Sequence, residues 1–204
     1  MTKIKICGLF RTEDADYANE ALPDYIGFVF AQSRRQVTPA QAAAIKQRLD
    51  AHIKAVGVFV DAAIDNVAAL VNNGVIDLIQ LHGGECTAYI KQLRLKTVAP
   101  IVKAVRVQHA DQILKSQSLP CDYLLLDAYH PQLAGGSGEC FDWTQLPELT
   151  KPYFLAGGIN TGNIREALKL HPYAIDVSSG AETGGIKDRD KIIELVRIVR
   201  SVTI

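Results

Sequence analysis

Asp176-Val177-Ser178-Ser179-Gly180 decides how this chain is read. Before it stands the apolar run Tyr173-Ala174-Ile175, suited to a short buried strand; after it come Gly184-Gly185 and a long helical pattern from Lys187 to the end. A strand that stops in Ser-Ser-Gly and feeds a helix start presents backbone N–H groups. With the helix dipole behind them, these favour an anion, most often a phosphate. A second strand-to-glycine turn precedes it, Tyr153-Phe154-Leu155-Ala156-Gly157-Gly158, opening a helix through Asn160. Either turn alone is an ordinary tight turn. Two from consecutive strands, late in an α/β chain, match the phosphate cradle of a parallel barrel.

Outward from this pair, short apolar runs alternate with helical patterns. The runs are 4–8, 25–30, 53–60, 75–81, 101–105 and 123–126, the last ending in Asp127. Helices are expected from Thr12 to about Ala21, from Thr38-Pro39 to Leu49, from Ala62 to Asn73-Gly74, from Glu85 to Leu95 and from Ala110 to Ser116. Thr38-Pro39 supplies an N-cap with proline at the first helical position, and Asn73-Gly74 a stop. A weak helix is expected at Phe141-Asp142-Trp143, after the glycine-rich 135–138. Near-continuous apolar strands imply a parallel sheet buried on both faces. Cys7-Gly8-Leu9-Phe10 lacks the glycine fingerprint of an open doubly wound sheet. Eight even units and a late phosphate site favour an α/β fold of the eight-stranded parallel (β/α)8 (TIM) barrel type, as a single domain over residues 1–204.

Bulk composition narrows function. The 204 residues are 48% hydrophobic and 22% charged, with 22 Lys+Arg against 22 Asp+Glu. That is ordinary globular composition, without the basic footprint of a nucleic-acid binder. Cys7, Cys86, Cys121 and Cys140 are scattered, with neither CxxC nor zinc spacing. Lys3 and Lys5 interrupt any signal-peptide core, and no apolar run approaches membrane-spanning length. A cytoplasmic protein with reduced thiols is expected, with no nucleic-acid or membrane partner, as a monomer or a homodimer.

In a parallel barrel the chemistry sits at the C-terminal ends of strands. Those positions are Cys7, residues 30–35, Asp61, Gln80, His82, residues 103–106, Asp127, Gly157-Gly158 and residues 176–180. Cys7 and Asp127 are ionisable groups on well-separated strands. A thiolate can take a proton and a buried carboxyl can donate one, so together they could move a proton across a small ligand. Each also has a plainer reading: Cys7 as a small buried hydrophobe, Asp127 as a helix or loop cap. Arg34 or Arg35 could clamp a carboxylate or sit on the surface. His82 reads better as a hydrogen-bonded structural group than as an acid or base.

Taken in order, Lys5-Ile6-Cys7-Gly8, Gly27-Phe28-Val29-Phe30, Gln80-Leu81-His82-Gly83, Leu126-Asp127, Gly135-Gly136-Ser137-Gly138 with Phe141-Asp142-Trp143, Gly157-Gly158-Ile159-Asn160 and Asp176-Val177-Ser178-Ser179-Gly180 resemble the phosphoribosylanthranilate isomerases of tryptophan biosynthesis. The resemblance spans the chain from Ile4 to Asp188. It implies an Amadori rearrangement of an aminoaldose phosphosugar to an aminoketose, with neither metal nor cofactor. It further implies Cys7 as general base, Asp127 as general acid and Arg35 as partner of the anthranilate carboxylate. The phosphate would rest on the Gly158 N–H of the Gly157-Gly158 turn, with Ser179 and Gly180 opposite. Asp176 would orient sugar hydroxyls or the neighbouring turn. Phe10-Arg11 and Glu139-Cys140 depart from the family pattern on loops at the mouth. The rival readings are a different phosphosugar barrel enzyme, or a barrel that binds phosphosugars without turnover.

Overall fold

The computed structural model describes residues 1–107, 110–128 and 146–202. Eight parallel strands close into a barrel in sequence order. They are β1 Lys3–Cys7, β2 Tyr25–Val29, β3 Lys54–Phe59, β4 Leu78–Leu81, β5 Ile101–Val107, β6 Tyr123–Ala128, β7 Tyr153–Leu155 and β8 Ala174–Val177. Between them lie α1 Thr12–Ala21, α2 Pro39–Lys46, α3 Ile64–Asn72, α4 Thr87–Arg94, α5 Ala110–Ser116 and α6 Ile164–Leu168. The hairpin β9 Glu182–Thr183 and β10 Ile186–Lys187 follows β8, and α7 Arg189–Ser201 ends the described fold.

Local chemistry sets these boundaries. At α2 the Thr38 hydroxyl accepts from the Gln41 N–H and the Gln41 side chain reaches back to the Thr38 N–H, so two orphan donors are satisfied reciprocally. At α7 the Asp188 carboxylate accepts from the Asp190 and Lys191 N–H groups. The α7 stripe Ile192, Leu195, Val196, Ile198 and Val199 is buried, and the helix packs against α1 and α6. That contact joins the last unit to the first.

Strand alternation makes two apolar layers. Outward residues such as Ile4, Ile6, Ile26 and Phe28 pack under the helices. Inward residues, among them Tyr25, Val56, Leu78, Val102, Leu125 and Phe154, fill the barrel. The inward face of β1 is different: it carries Lys3, Lys5 and Cys7 in succession. Register sets Lys5 beside Asp176 of β8, Cys7 beside Gly27 of β2, and Arg106 of β5 beside Asp127 of β6.

Two expectations need correction. The Ser-Ser-Gly turn does not feed the long helix; Ser179–Ala181 is a single 3-10 turn, and the hairpin intervenes before α7. Nor does Gly157-Gly158 open a helix at Asn160, because α6 begins at Ile164. The expected helix at 141–143, the glycine-rich stretch 135–138, Glu139 and Cys140 lie outside the described residues.

Candidate active site

The C-terminal ends of the strands surround a cavity of about 200 Å³. Its walls include Cys7, Arg35, Gln80, His82, Arg106, Asp127, Gly157, Gly158, Asp176 and Ser179. Of the eight residues singled out in the sequence, seven thus meet here. The eighth, Gly180, does its work beneath the wall. A Cβ on Gly180 would stand 2.0 Å from the Ile159 carbonyl oxygen, so only glycine lets the turn after β8 press against the turn after β7.

The two turns are built differently. After β7, the Asn160 and Asn163 side-chain amides both donate to the Gly158 carbonyl, at 3.1 and 3.0 Å, and the Asn160 N–H donates to Asn163 Oδ1. After β8, the Lys187 ammonium donates to the Ser178 carbonyl at 2.9 Å, and the Ser178 hydroxyl to the Cys7 carbonyl at 3.4 Å. The α7 N-terminus is capped by the Asp188 carboxylate, which accepts from the Asp190 and Lys191 N–H groups.

Below the cavity floor, Lys5 is fully buried. Its ammonium donates to both Asp176 oxygens at 3.0 Å and to Gln80 Oε1 at 2.8 Å. Burial, the largest single influence, pulls Lys5 down, but the Asp176 carboxylate and the Cys7 thiol together outweigh it and the lysine sits above its ordinary value. Asp176 is therefore the counter-ion of Lys5. Cys7 lies against the same ammonium. Burial pushes the Cys7 thiol up; Lys5 and Lys187 pull it down, Asp176 pushes it up again, and the net direction is upward.

Polarity then passes across the barrel. An ammonium can only donate, so the Gln80 atom facing Lys5 is its oxygen. The Gln80 amide nitrogen consequently donates to His82 Nδ1, at 2.9 Å. That leaves the imidazole proton on Nε2, which faces Asp127 Oδ2 at 3.3 Å. His82 is thus hydrogen-bonded, as expected, and also touches the carboxyl on which the acid role was placed.

Arg35 lines the cavity while its side chain pairs with Glu182 of β9, and Arg34 pairs with the same carboxylate from a more exposed position. Phe10-Arg11 is also accounted for: Arg11 pairs with Asp14 at 2.6 Å and donates to the Lys187 carbonyl, pinning the β1–α1 loop. Asp61, by contrast, accepts from the Gly84 N–H in a loop contact outside the cavity. Lys103 is spent on Glu85 at 2.8 Å and on the Gly83 carbonyl. Among the described residues, no group of three or more His, Cys, Asp or Glu could hold a metal ion, and no helix is long and apolar enough to cross a membrane.

Three site residues escape a reading of strand ends alone: Lys5, Glu182 and Lys187. Lys5 had a signal. Two residues before Cys7 on one strand, it must share the inward face. Glu182 and Lys187 had none in the periodicity, because two-residue strands are too short to show one.

Residues 4–198 match the family described as N-(5'phosphoribosyl)anthranilate (PRA) isomerase. The chain is 50% identical over 203 residues to N-(5'-phosphoribosyl)anthranilate isomerase of Endomicrobium trichonymphae, covering 99% of this chain and 100% of that one. The fold is similar to the crystal structure of phosphoribosyl anthranilate isomerase from Thermotoga maritima, with TM-score 0.88 at 31% identity over 99% of this chain and 100% of that chain. It is similar also to a phosphoribosyl anthranilate isomerase crystallised with reduced 1-(o-carboxyphenylamino)-1-deoxyribulose 5-phosphate, with TM-score 0.83 at 28% identity over 99% and 100%.

Proposed function

This chain belongs to the N-(5'-phosphoribosyl)anthranilate isomerase family, and we propose that it rearranges its substrate in tryptophan biosynthesis with Cys7 as general base and Asp127 as general acid. The observation that carries the assignment is the meeting of these two groups, from β1 and β6, on the wall of one cavity beside the two glycine turns. The substrate is an aminoaldose in which the aryl nitrogen and the ring oxygen share the first sugar carbon. Asp127 gives its proton to the ring oxygen as the nitrogen lone pair expels it, and the ring opens to an iminium ion. The iminium makes the C–H at the second carbon acidic, so a modest base suffices. Cys7 takes that proton as thiolate, leaving a neutral enolamine. Protonation at the first carbon and loss of the hydroxyl proton at the second give the ketone, with no change in overall composition.

The surroundings support these roles. Lys5 and Lys187 favour the Cys7 thiolate against burial. His82, with its proton on Nε2, faces one Asp127 oxygen and leaves the other for the ring oxygen. The phosphate rests against the Gly157-Gly158 and Ser179-Gly180 turns, and Arg35 takes the anthranilate carboxylate. We place the protein in the cytoplasm and assign residues 1–204 to one catalytic domain. The test is substitution: Cys7→Ala and Asp127→Asn are each expected to lower kcat by about 10²- to 10⁴-fold while leaving affinity for the reduced product analogue within about twofold. Near-normal turnover in both variants would remove the acid/base pair from the account.

A further inference from the structure

The hairpin between β8 and α7 carries Glu182 and Lys187 back over the rim of the barrel. The Glu182 side chain is 3% exposed and meets three cations. Arg35 donates Nε to Oε1 at 2.6 Å and Nη2 to Oε2 at 2.9 Å. Arg34 donates Nη2 to Oε2 at 2.7 Å, and Lys187 its ammonium to Oε1 at 2.8 Å. Burial alone would raise the Glu182 carboxyl, but Arg35 and Lys187 outweigh it and hold it below the ordinary carboxylate value. Three positive charges against one negative leave this part of the rim cationic. Of the two arginines, Arg34 has a side chain 59% exposed, while Arg35 is 13% exposed and lines the cavity.

The orientation of the Arg35 fork is the informative feature. A guanidinium is planar and can grip carboxylates along more than one edge. Glu182 occupies the Nε/Nη2 edge. The Nη1/Nη2 edge is left, and Nη1 donates to no acceptor among the described residues. The plane of the fork is therefore set before any ligand arrives. Fixing a long side chain in advance removes an ordering cost that binding would otherwise carry.

We propose that Glu182 is a positioning residue that holds Arg35 so that its Nη1/Nη2 edge receives the aromatic carboxylate of the substrate; this rests on the reading of Arg35 as the carboxylate clamp. Glu182 itself touches no substrate atom. Its effect through Arg35 is selective, reaching the carboxylated ring and not the sugar or phosphate.

The experiment compares two probes by calorimetry: the reduced product analogue, and the same compound with a phenylamino group in place of the carboxyphenylamino group. For Glu182→Gln, affinity for the carboxylated analogue is expected to fall about tenfold, as for loss of a charge-assisted pair. Affinity for the decarboxylated analogue is expected to stay within about twofold, and KM should rise by a larger factor than kcat falls. Arg35→Ala should abolish the preference for the carboxylated analogue. Arg35→Lys, with Glu182 intact, should abolish most of it too, because a point charge cannot present a second edge. Equal weakening of both analogues by Glu182→Gln would make Glu182 a scaffold of the hairpin and overturn the inference, as would no weakening of either. If Glu182→Gln fails to fold, Arg35→Lys decides, and a retained preference overturns the inference. An Arg35→Ala variant that keeps the preference defeats the clamp reading itself. One that loses it, beside an unaffected Glu182→Gln, defeats only the positioning role.

Discussion

Lys3 and Lys5 stand two residues apart on the inward face of β1, one at the floor of the barrel and one under its mouth, and they are held by opposite means. At the floor, Lys3 donates to the Tyr173 hydroxyl at 2.9 Å and the Tyr25 hydroxyl at 3.4 Å, and lies 4.9 Å from the Tyr173 ring centroid. Those rings pack on Phe154, and Tyr123 joins them. The Tyr173 hydrogen bond leads in holding Lys3 above its ordinary value, against a smaller effect of burial. Phenols and ring faces suffice there because the ammonium keeps some water. Under the mouth, Lys5 has no water and needs a full counter-charge, Asp176. A buried ion pair is a weak way to stabilise a fold, since desolvation consumes most of its Coulomb attraction. This pair lies against Cys7, the base of the proposed mechanism.

The largest expected effect breaks this contrast at its centre. Lys5→Met leaves Asp176 charged and unpaired, so unfolding by urea should show a loss of about 3–5 kcal/mol, with turnover falling as Cys7 loses its cation. Lys3→Met should cost only about 1 kcal/mol and leave kcat unchanged. Lys5→Met combined with Asp176→Asn should regain much of the stability but not the turnover. If Lys3→Met proved as costly as Lys5→Met, the two lysines would not differ as described.

The cysteines sharpen the same contrast between closed and wet sites. Cys86 stands exposed at the N-cap position of α4, and the nearby Tyr89 and Ala88 N–H groups hold its thiol below the ordinary value. Cys7 lies above it. Site-resolved alkylation against pH should therefore place the Cys86 midpoint below, and the Cys7 midpoint above, the ordinary thiol value of about 8.5. In the absence of ligand, a Cys7 midpoint below that of Cys86 would mean that Lys5 and Lys187 outweigh burial.

A smaller effect is expected at Glu182. Its carboxyl lies lower in the folded chain than in the unfolded one, so at acid pH the unfolded chain binds more protons. The stabilisation it contributes is present above the unfolded value of about 4.3 and is lost as pH falls through the folded value. Unfolding free energy measured between pH 6 and pH 3 should fall less steeply for Glu182→Gln than for the parent. Equal slopes would mean that Glu182 titrates alike in both states.

Much of this was legible in the chain. Alternating runs and helices predict the barrel, and the strand ends lead to Cys7, Gln80, His82 and Asp127. The pairing of Lys5 with Asp176 was within reach, since odd residues of β1 face inward and β8 closes on β1. The grip of Glu182 on Arg35 was not. It joins the loop after β2 to a hairpin of two-residue strands, and no local pattern announces a contact of 147 residues' separation. The turns after β7 and β8 also misled, because Gly-Gly and Ser-Ser-Gly suggest an immediate helix where asparagine side chains, and a 3-10 turn with a hairpin, intervene.

The most direct test of the central claim is a crystal structure of this chain with the reduced product analogue bound. The account predicts Cys7 Sγ within about 3.5 Å of the second sugar carbon and an Asp127 oxygen within hydrogen-bond reach of the oxygen on the fourth. An analogue fully occupied in the cavity with either side chain turned away from it would contradict the account.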